Sequence, residues 1–403
     1  MKNLLLGTVG MVGTLLSGCL GLAPAMAAEA TGEPVVIGVL EDRSSSGAFY
    51  SQESSKALKA FVAAVNRGEL LYAAEQFGGR PGIMGRPIKL LFEDDQSNPN
   101  LSAAKARRLV EQGARMLIFI SGSAATIQGK VVCTEEKIFC IAPTNVNDKI
   151  VQPPNNQFIF TVAPPAELQA ETLVNGLKRA GYGKIGFFSE STATSKPLLD
   201  SYVKRLTEDG FKAASVEIME AGARDASPQL LRIAEAKPDV LLDVTAHAPS
   251  TVTLYRSYNR LNLELPRWAT SSVTAQPQIW AQAGDSIDGL IVVDMIDPTK
   301  PSLVAVRDLY LAAVGKDQPF VWLHAAVWDG LMMTKLAVEK ANSVDGAAMV
   351  AAMEQIADFP MAHGQQGYTV SYKGKHSGAG SKSTNIVVFK GGKPAKLWET
   401  YQP

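Results

Sequence analysis

The chain has 403 residues, 46% of them hydrophobic and 19% charged, and its 39 Lys and Arg balance its 39 Asp and Glu. That length exceeds one typical core, so two lobes are expected. A zero net charge excludes a nucleic-acid surface, which needs a strong positive field, and beyond the amino terminus no apolar run is long enough to cross a bilayer.

The amino terminus is of another kind. Lys2 precedes an apolar segment, residues 4–16, and Pro-Ala-Met-Ala follows at 24–27. A positive start, an apolar centre and an A-x-A end read as a signal peptide cut after Ala27, residues 1–27. Leu16-Ser17-Gly18-Cys19 also resembles a bacterial lipobox, in which Cys19 would carry the lipid. Either way export to the periplasm is expected. Export leaves Cys133 and Cys140, for which a disulfide and a pair of buried thiols stand side by side. The four histidines, His247, His324, His363 and His376, are scattered without metal-ligand spacing, so neither a metal nor another cofactor is expected.

In chain order, residues 34–40 read as a strand that ends at a polar loop, 41–50, containing Ser-Ser-Ser-Gly. A helix follows over 57–65, a second strand over 88–92, and a helix over 101–112 closed by Gly113. Residues 116–120, Met-Leu-Ile-Phe-Ile, form an apolar run suited to a strand buried on both faces. Ser121, Gly122 and Ser123 then open a helix to about Glu135. A small-residue turn between a strand's carboxyl end and a helix's amino end leaves N–H groups unpaired, and such an end attracts anions. The same residues also serve an ordinary packing turn. A strand over 138–142 is closed by Pro143.

The alternation restarts after a proline-rich segment, 151–165. Helices are expected over 167–180, 198–209, 229–236 and 250–261, with strands over 184–189, 214–219 and 240–244. Strands alternating with helices in this way imply right-handed βαβ units and parallel sheets. Two such runs make two α/β lobes, each a doubly wound parallel sheet, that bind a ligand off their strands' carboxyl ends and close by hinge motion.

Several segments point further. They are I-G-V-L-E-D-R-S-S-S-G-A-F-Y at 37–50, F-E-D-D-Q-S-N-P at 92–99, A-x-x-A-x-x-L-V-x-x-G across 103–113, and P-F-V-W at 319–322 leading to Trp328-Asp329-Gly330. In order and spacing they resemble the periplasmic solute-binding proteins of branched-chain amino-acid ABC transporters, over nearly all of the mature chain. The resemblance implies a type I periplasmic binding protein whose lobes are joined by a three-segment hinge. Crossings near Phe160, Asp288 and Gly364 would give lobe 1 residues 34–160 plus 288–364, and lobe 2 residues 161–287 plus 365–403.

The resemblance also implies a pocket. Gly122, Ser123, Ala124, Thr144 and Asn145 would hold a ligand carboxylate, while Ser46, Phe49, Tyr50, Phe320 and His324 would line its other end. It implies as partners a small-molecule carboxylate and an inner-membrane ABC permease, with no nucleic acid, and the protein is expected to be a monomer. No G-x-S-x-G or H-E-x-x-H is present, so no enzyme activity is expected.

The chain departs from this pattern on the second lobe. Amino-acid binders of the family hold the ligand's ammonium with an acid, and that position looks like Ser271 here. Thr194 stands near the family's aromatic residue, and His247 stands in place of a tyrosine. Burying an ammonium without a carboxylate partner costs several kcal/mol. The expected ligand is therefore an acid without an α-amino group: a 2-oxo, hydroxy or aromatic acid. The alternative is a branched-chain amino acid, with Glu190 or Asp243 supplying the charge; a sensor ligand domain is a lesser one.

Overall fold

The computed structural model describes residues 29–45, 47–69, 79–192 and 195–398. The signal peptide with Cys19, Ser46 and Thr194 lie outside them.

The first half runs β1 (Val35–Glu41), α1 (Ala48–Asn66), β2 (Ile88–Asp94), α2 (Pro99–Glu111), β3 (Met116–Phe119), α3 (Ser123–Glu135), β4 (Phe139–Ala142) and β5 (Ile159–Thr161). Its strands form a parallel sheet in the order β2-β1-β3-β4-β5. Every residue of β3 and β4 is buried, as a central strand covered by helices on both faces requires. The start of α2 is set by the Asn98 side chain, which accepts the Asn100 N–H, and by Pro99 at the first helical position. Two features depart from the sequence expectation. β5 has three residues and lies inside the proline-rich segment, too short to show a period. α1 begins at Ala48, because Ser51, Ser54 and Ser55 occupy its buried face and carry no apolar signature. Phe49 and Tyr50 thus sit on a helix's first turn.

The chain continues through α4 (Ala166–Arg179), β6 (Lys184–Glu190), α5 (Ser195–Glu208), β7 (Lys212–Met219), α6 (Ser227–Glu235), β8 (Val240–Asp243), α7 (Ala248–Arg260), β9 (Arg267–Ala269), α8 (Ser272–Ala275), α9 (Pro277–Ala283) and β10 (Ile291–Asp294). It then forms α10 (Pro301–Val314), α11 (Trp322–Ala341), α12 (Gly346–Met353), a short hairpin of β11 (Phe359–Pro360) and β12 (Thr369–Val370), and finally β13 (Asn385–Lys390) and β14 (Lys393–Leu397). A second sheet has the order β14-β13-β10-β9-β8-β6-β7 and is parallel except at β13 and β14.

Sheet pairing moves two chain crossings from their expected places. β10 pairs with β9 and β13, so the chain leaves the second lobe after Asp294 rather than near Asp288. Tyr368, Val370 and Tyr372 share the first lobe's apolar core with Phe61 and Trp328. The Tyr372 ring meets Phe160 edge-on at 5.6 Å, and its hydroxyl donates to the Thr161 carbonyl at 2.9 Å. The chain therefore stays with the first lobe past Gly364, as far as Ser377, which bridges to Thr161. Residues 364–384 are too polar and glycine-rich for hydrophobic period to assign them to a lobe.

α11 is buried around its whole circumference from Trp322 to Val338, so it reads as apolar rather than amphipathic. It packs along α1, with Trp328 edge-on to Phe61 at 5.1 Å. Gly330 admits Pro143 at the end of β4; a Cβ there would lie 2.6 Å from the proline ring.

The open choice for the cysteines resolves as a disulfide. Cys133 of α3 and Cys140 of β4 are bonded, with their Cα atoms 6.1 Å apart and a sequence separation of 7. A loop this short restricts the unfolded chain by about 2.5 kcal/mol in the chain-entropy account. Cys133→Ala combined with Cys140→Ala should lower the unfolding free energy by about that amount in urea titrations. Equal stability with and without reductant would show that the bond does not form.

Candidate functional site

The carboxyl ends of both sheets' strands face each other across a cavity of about 630 Å³. Of the residues expected at the pocket, Tyr50, Gly122, Ser123, Ala124, Thr144, Asn145 and Ser271 stand on its wall. Phe49, His247, Phe320 and His324 do not, and each has another place.

The Phe49 ring lies edge-on to Tyr50 at 6.0 Å. His324 is fully buried and stacks on Tyr310 at 4.4 Å, with Phe320 against both rings. Its Nδ1 accepts the Val321 N–H at 3.2 Å and its Nε2 faces Glu53 at 3.2 Å, so it closes the first turn of α11. Burial holds its pKa below the usual histidine value despite the glutamate. His247 precedes α7, and its Nδ1 lies 2.7 Å from Glu190 Oε1. That bond raises the His247 pKa. Burial opposes ionisation of Glu190, but bonds from His247, Ser195 and the Ala246 N–H outweigh it and hold the carboxyl below its usual range.

The first-lobe wall is built on the turn into α3. Gly122 caps the helix in an extended conformation and donates its N–H to Ser97 Oγ at 3.0 Å. A Cβ on Gly122 would lie 2.8 Å from that oxygen, so any other residue there must push the Ser97 side chain aside. Ser123 and Ala124 follow, and their N–H groups, in the helix's first turn, have no partner within it. Asn145 ties the turn to the end of β4: its Nδ2 donates to the Ser121 carbonyl at 2.9 Å and faces Thr126 Oγ1 at 3.3 Å.

Among the described residues, Asp42 is the one charged side chain on the cavity wall. It is buried and accepts the Ser44 and Ser45 N–H groups at 3.1 and 2.9 Å, the Ser45 hydroxyl, and Ser97 Oγ–H at 2.8 Å. Burial works against the charge, yet these bonds hold its pKa below the usual value. On the second lobe Ser271 donates to Gln169 Oε1 at 2.8 Å. The lobes touch directly where Gln276 Nε2 donates to the Tyr50 hydroxyl at 3.0 Å, and that hydroxyl faces the Ala246 carbonyl at 3.4 Å.

Several wall residues were not singled out from the sequence as ligand contacts: Asp42, Gln96, Ser97, Gln169, Tyr202 and Trp322. The first three fall within or beside motifs quoted above, so strand-end position would have found them. Trp322 reads as a packing residue. Gln169 and Tyr202 lie on helix faces that look like ordinary core. Among the described residues no cluster of His, Cys, Asp and Glu has a geometry to hold a metal, and no helix is long and apolar enough to cross a membrane.

Two doubly wound lobes that meet over a half-open, hydroxyl-lined cavity, with the chain passing between them after β5, after β10 and before β13, define a two-lobed solute-binding protein. The sequence matches the periplasmic binding protein family over residues 34–382, and the chain belongs to that family. Its relatives include the Leu/Ile/Val-binding protein BraC3 of Rhizobium johnstonii, 23% identical over 326 residues, which cover 80% of this chain and 85% of that one. Leu/Ile/Val-binding protein homolog 3 of Brucella melitensis is 21% identical over 280 residues, covering 69% and 75%. Among solved structures, the branched-chain amino acid transporter substrate binding protein LivJ of Streptococcus pneumoniae, in complex with isoleucine, superposes with a TM-score of 0.74 at 15% identity, over 91% of this chain and 99% of that one. An extracellular ligand-binding receptor from Rhodopseudomonas palustris gives 0.71 at 19% identity, over 91% and 100%.

Proposed function

We propose that this protein is the periplasmic capture component of an ABC importer, and that it carries to an inner-membrane permease a small carboxylate lacking an α-amino group. The candidates are 2-oxo, hydroxy and aromatic acids. One observation supports the reading: the described wall offers no uncommitted acid to an ammonium. Asp42 already accepts four donors. Glu190 is held by His247, Ser195 and Ala246 and is not part of the wall. Asp243 bonds Thr245 twice, at 2.7 and 2.8 Å, and burial pushes its pKa up to about 6. A carboxylate, by contrast, meets the amino end of α3, an interaction worth up to about 2 kcal/mol when partly buried.

The second reading, a branched-chain amino acid, is favoured by the relatives, whose names record Leu/Ile/Val binding. A thermal-shift screen separates the two. Ligand at a hundredfold excess over Kd stabilises the folded state by about 2.7 kcal/mol, which raises Tm by several degrees. 2-Oxoisovalerate, 2-hydroxyisovalerate or benzoate should give such a rise, and leucine, isoleucine and valine should not. Stabilisation by the amino acids alone would establish the second reading.

A further inference from the structure

Tyr202 is an anomaly in the second-lobe wall. It lies on α5 one turn beyond Leu198, and both side chains border the cavity. Tyr202 is 9% exposed, and its ring belongs to the core formed with Leu199 and Leu206. A buried tyrosine ordinarily bonds its hydroxyl to a carbonyl, an amide or another side chain. The Tyr202 hydroxyl has no such partner among the described residues. Burial pushes its pKa up to about 12, so it stays a neutral phenol, able both to donate and to accept.

The other cavity tyrosine differs in this respect. Tyr50 spends its hydroxyl on Gln276 and faces the Ala246 carbonyl, so it joins the lobes. Two neighbouring second-lobe groups are committed, since Ser271 donates to Gln169, whose own amide N–H donates to the Pro164 carbonyl at 3.0 Å, while the smaller Thr270 hydroxyl, like that of Tyr202, has no partner among the described residues. Tyr202 thus brings to the second-lobe side of the cavity wall a hydroxyl that no described residue engages.

We infer that Tyr202 reads a second polar group on the ligand, an oxygen at the end away from the α3 turn. The preferred solute is then an acid that also carries a hydroxyl or carbonyl at its far end, over the same acid without it. This rests on the reading above for which end of the ligand faces α3, but not on whether that end bears an amino group. Leaving a buried phenol unpaired against an apolar group disfavours the unsubstituted analogue, because its desolvation goes uncompensated.

The experiment is isothermal titration with paired probes, benzoate against 4-hydroxybenzoate and phenylalanine against tyrosine. Whichever pair binds, the oxygenated member should bind wild type about tenfold tighter. Tyr202→Phe, which keeps the ring and removes one oxygen, should collapse that ratio towards one. Tyr50→Phe should weaken both members alike and leave the ratio standing. A ratio that survives in Tyr202→Phe, or one near unity in wild type, would overturn the inference. Failure of the acid reading looks different: only the phenylalanine and tyrosine pair would bind, and the ratio test would then run on that pair.

Discussion

Ser123→Phe is expected to abolish ligand binding, a loss of about a hundredfold or more in affinity, while the ligand-free protein unfolds at nearly its normal temperature. Ser123 is the first residue of α3, stands on the cavity wall and is only partly buried. An aromatic ring there projects into solvent-filled space and displaces no packed atoms, so the fold has little to lose. The one bond at stake within the protein is a long one, 3.4 Å from Asn145 Nδ2. The ring would cover the N–H groups of the first turn and exclude an anion from the helix's amino end, removing both contact and field at once. Gly122 would be a poorer choice, since its Cβ presses on Ser97 and mixes strain with occlusion. Titration calorimetry with the solute found by thermal shift, beside a thermal melt of the free variant, makes the check. An affinity within threefold of wild type would mean that the ligand is held elsewhere.

What the chain announces about itself depends on whether a property is carried by neighbours in sequence. β3 and β4 are short unbroken apolar runs ended by small residues or proline, so their burial and their strand ends are visible at once. The α3 turn follows from the same run, because a strand that stops at Ser-Gly-Ser must expose the next helix's amino end. Tyr202 gave no such signal. It shares the stripe of Leu199 and Leu206, and that period says core; only the missing hydroxyl partner marks it, and partners are a property of the folded chain. The crossings fail for a related reason. β10 is a four-residue apolar strand with the same composition as a first-lobe strand, and its sheet is decided by Trp268 and Ile386 across from it, far away in sequence. His247 and His324 have the residue type of ligand contacts, but each is claimed by a glutamate that sequence spacing cannot pair with it.

The make-up of the second-lobe wall has a physical consequence beyond ligand charge. Ser271 and Gln169 bond to each other, and Glu190, which is not part of the wall, is held by His247, so the second-lobe side of the wall is polar without a charged side chain. Closure then relies on neutral hydrogen bonds such as Tyr50 to Gln276, which depend little on ionic strength. The salt dependence of capture should therefore come from the first lobe, from the field at α3 and the Asp42 carboxylate.

Asp329→Ala should be the most damaging single change outside the site, costing about 3–5 kcal/mol of unfolding free energy. Asp329 lies in the middle of α11, fully buried. Its carboxylate accepts the Ala362 N–H at 2.8 Å and the His363 N–H at 2.9 Å, and it faces His363 Nδ1 at 2.6 Å. The next residue, Gly364, donates its N–H at 2.6 Å to the carbonyl of Met295, which stands at the crossing after Asp294. Truncation to alanine strands two backbone donors in an interior that water does not reach, at about 1–3 kcal/mol each, and leaves His363 without its acceptor. Asp329→Asn should fall between, because one oxygen remains to accept while the new amide hydrogens oppose the existing donors. Urea denaturation followed by circular dichroism gives the comparison, with the order wild type, Asn, Ala. An Ala variant within about 1 kcal/mol of wild type would show that these bonds are replaced on relaxation and that α11 does not anchor that crossing.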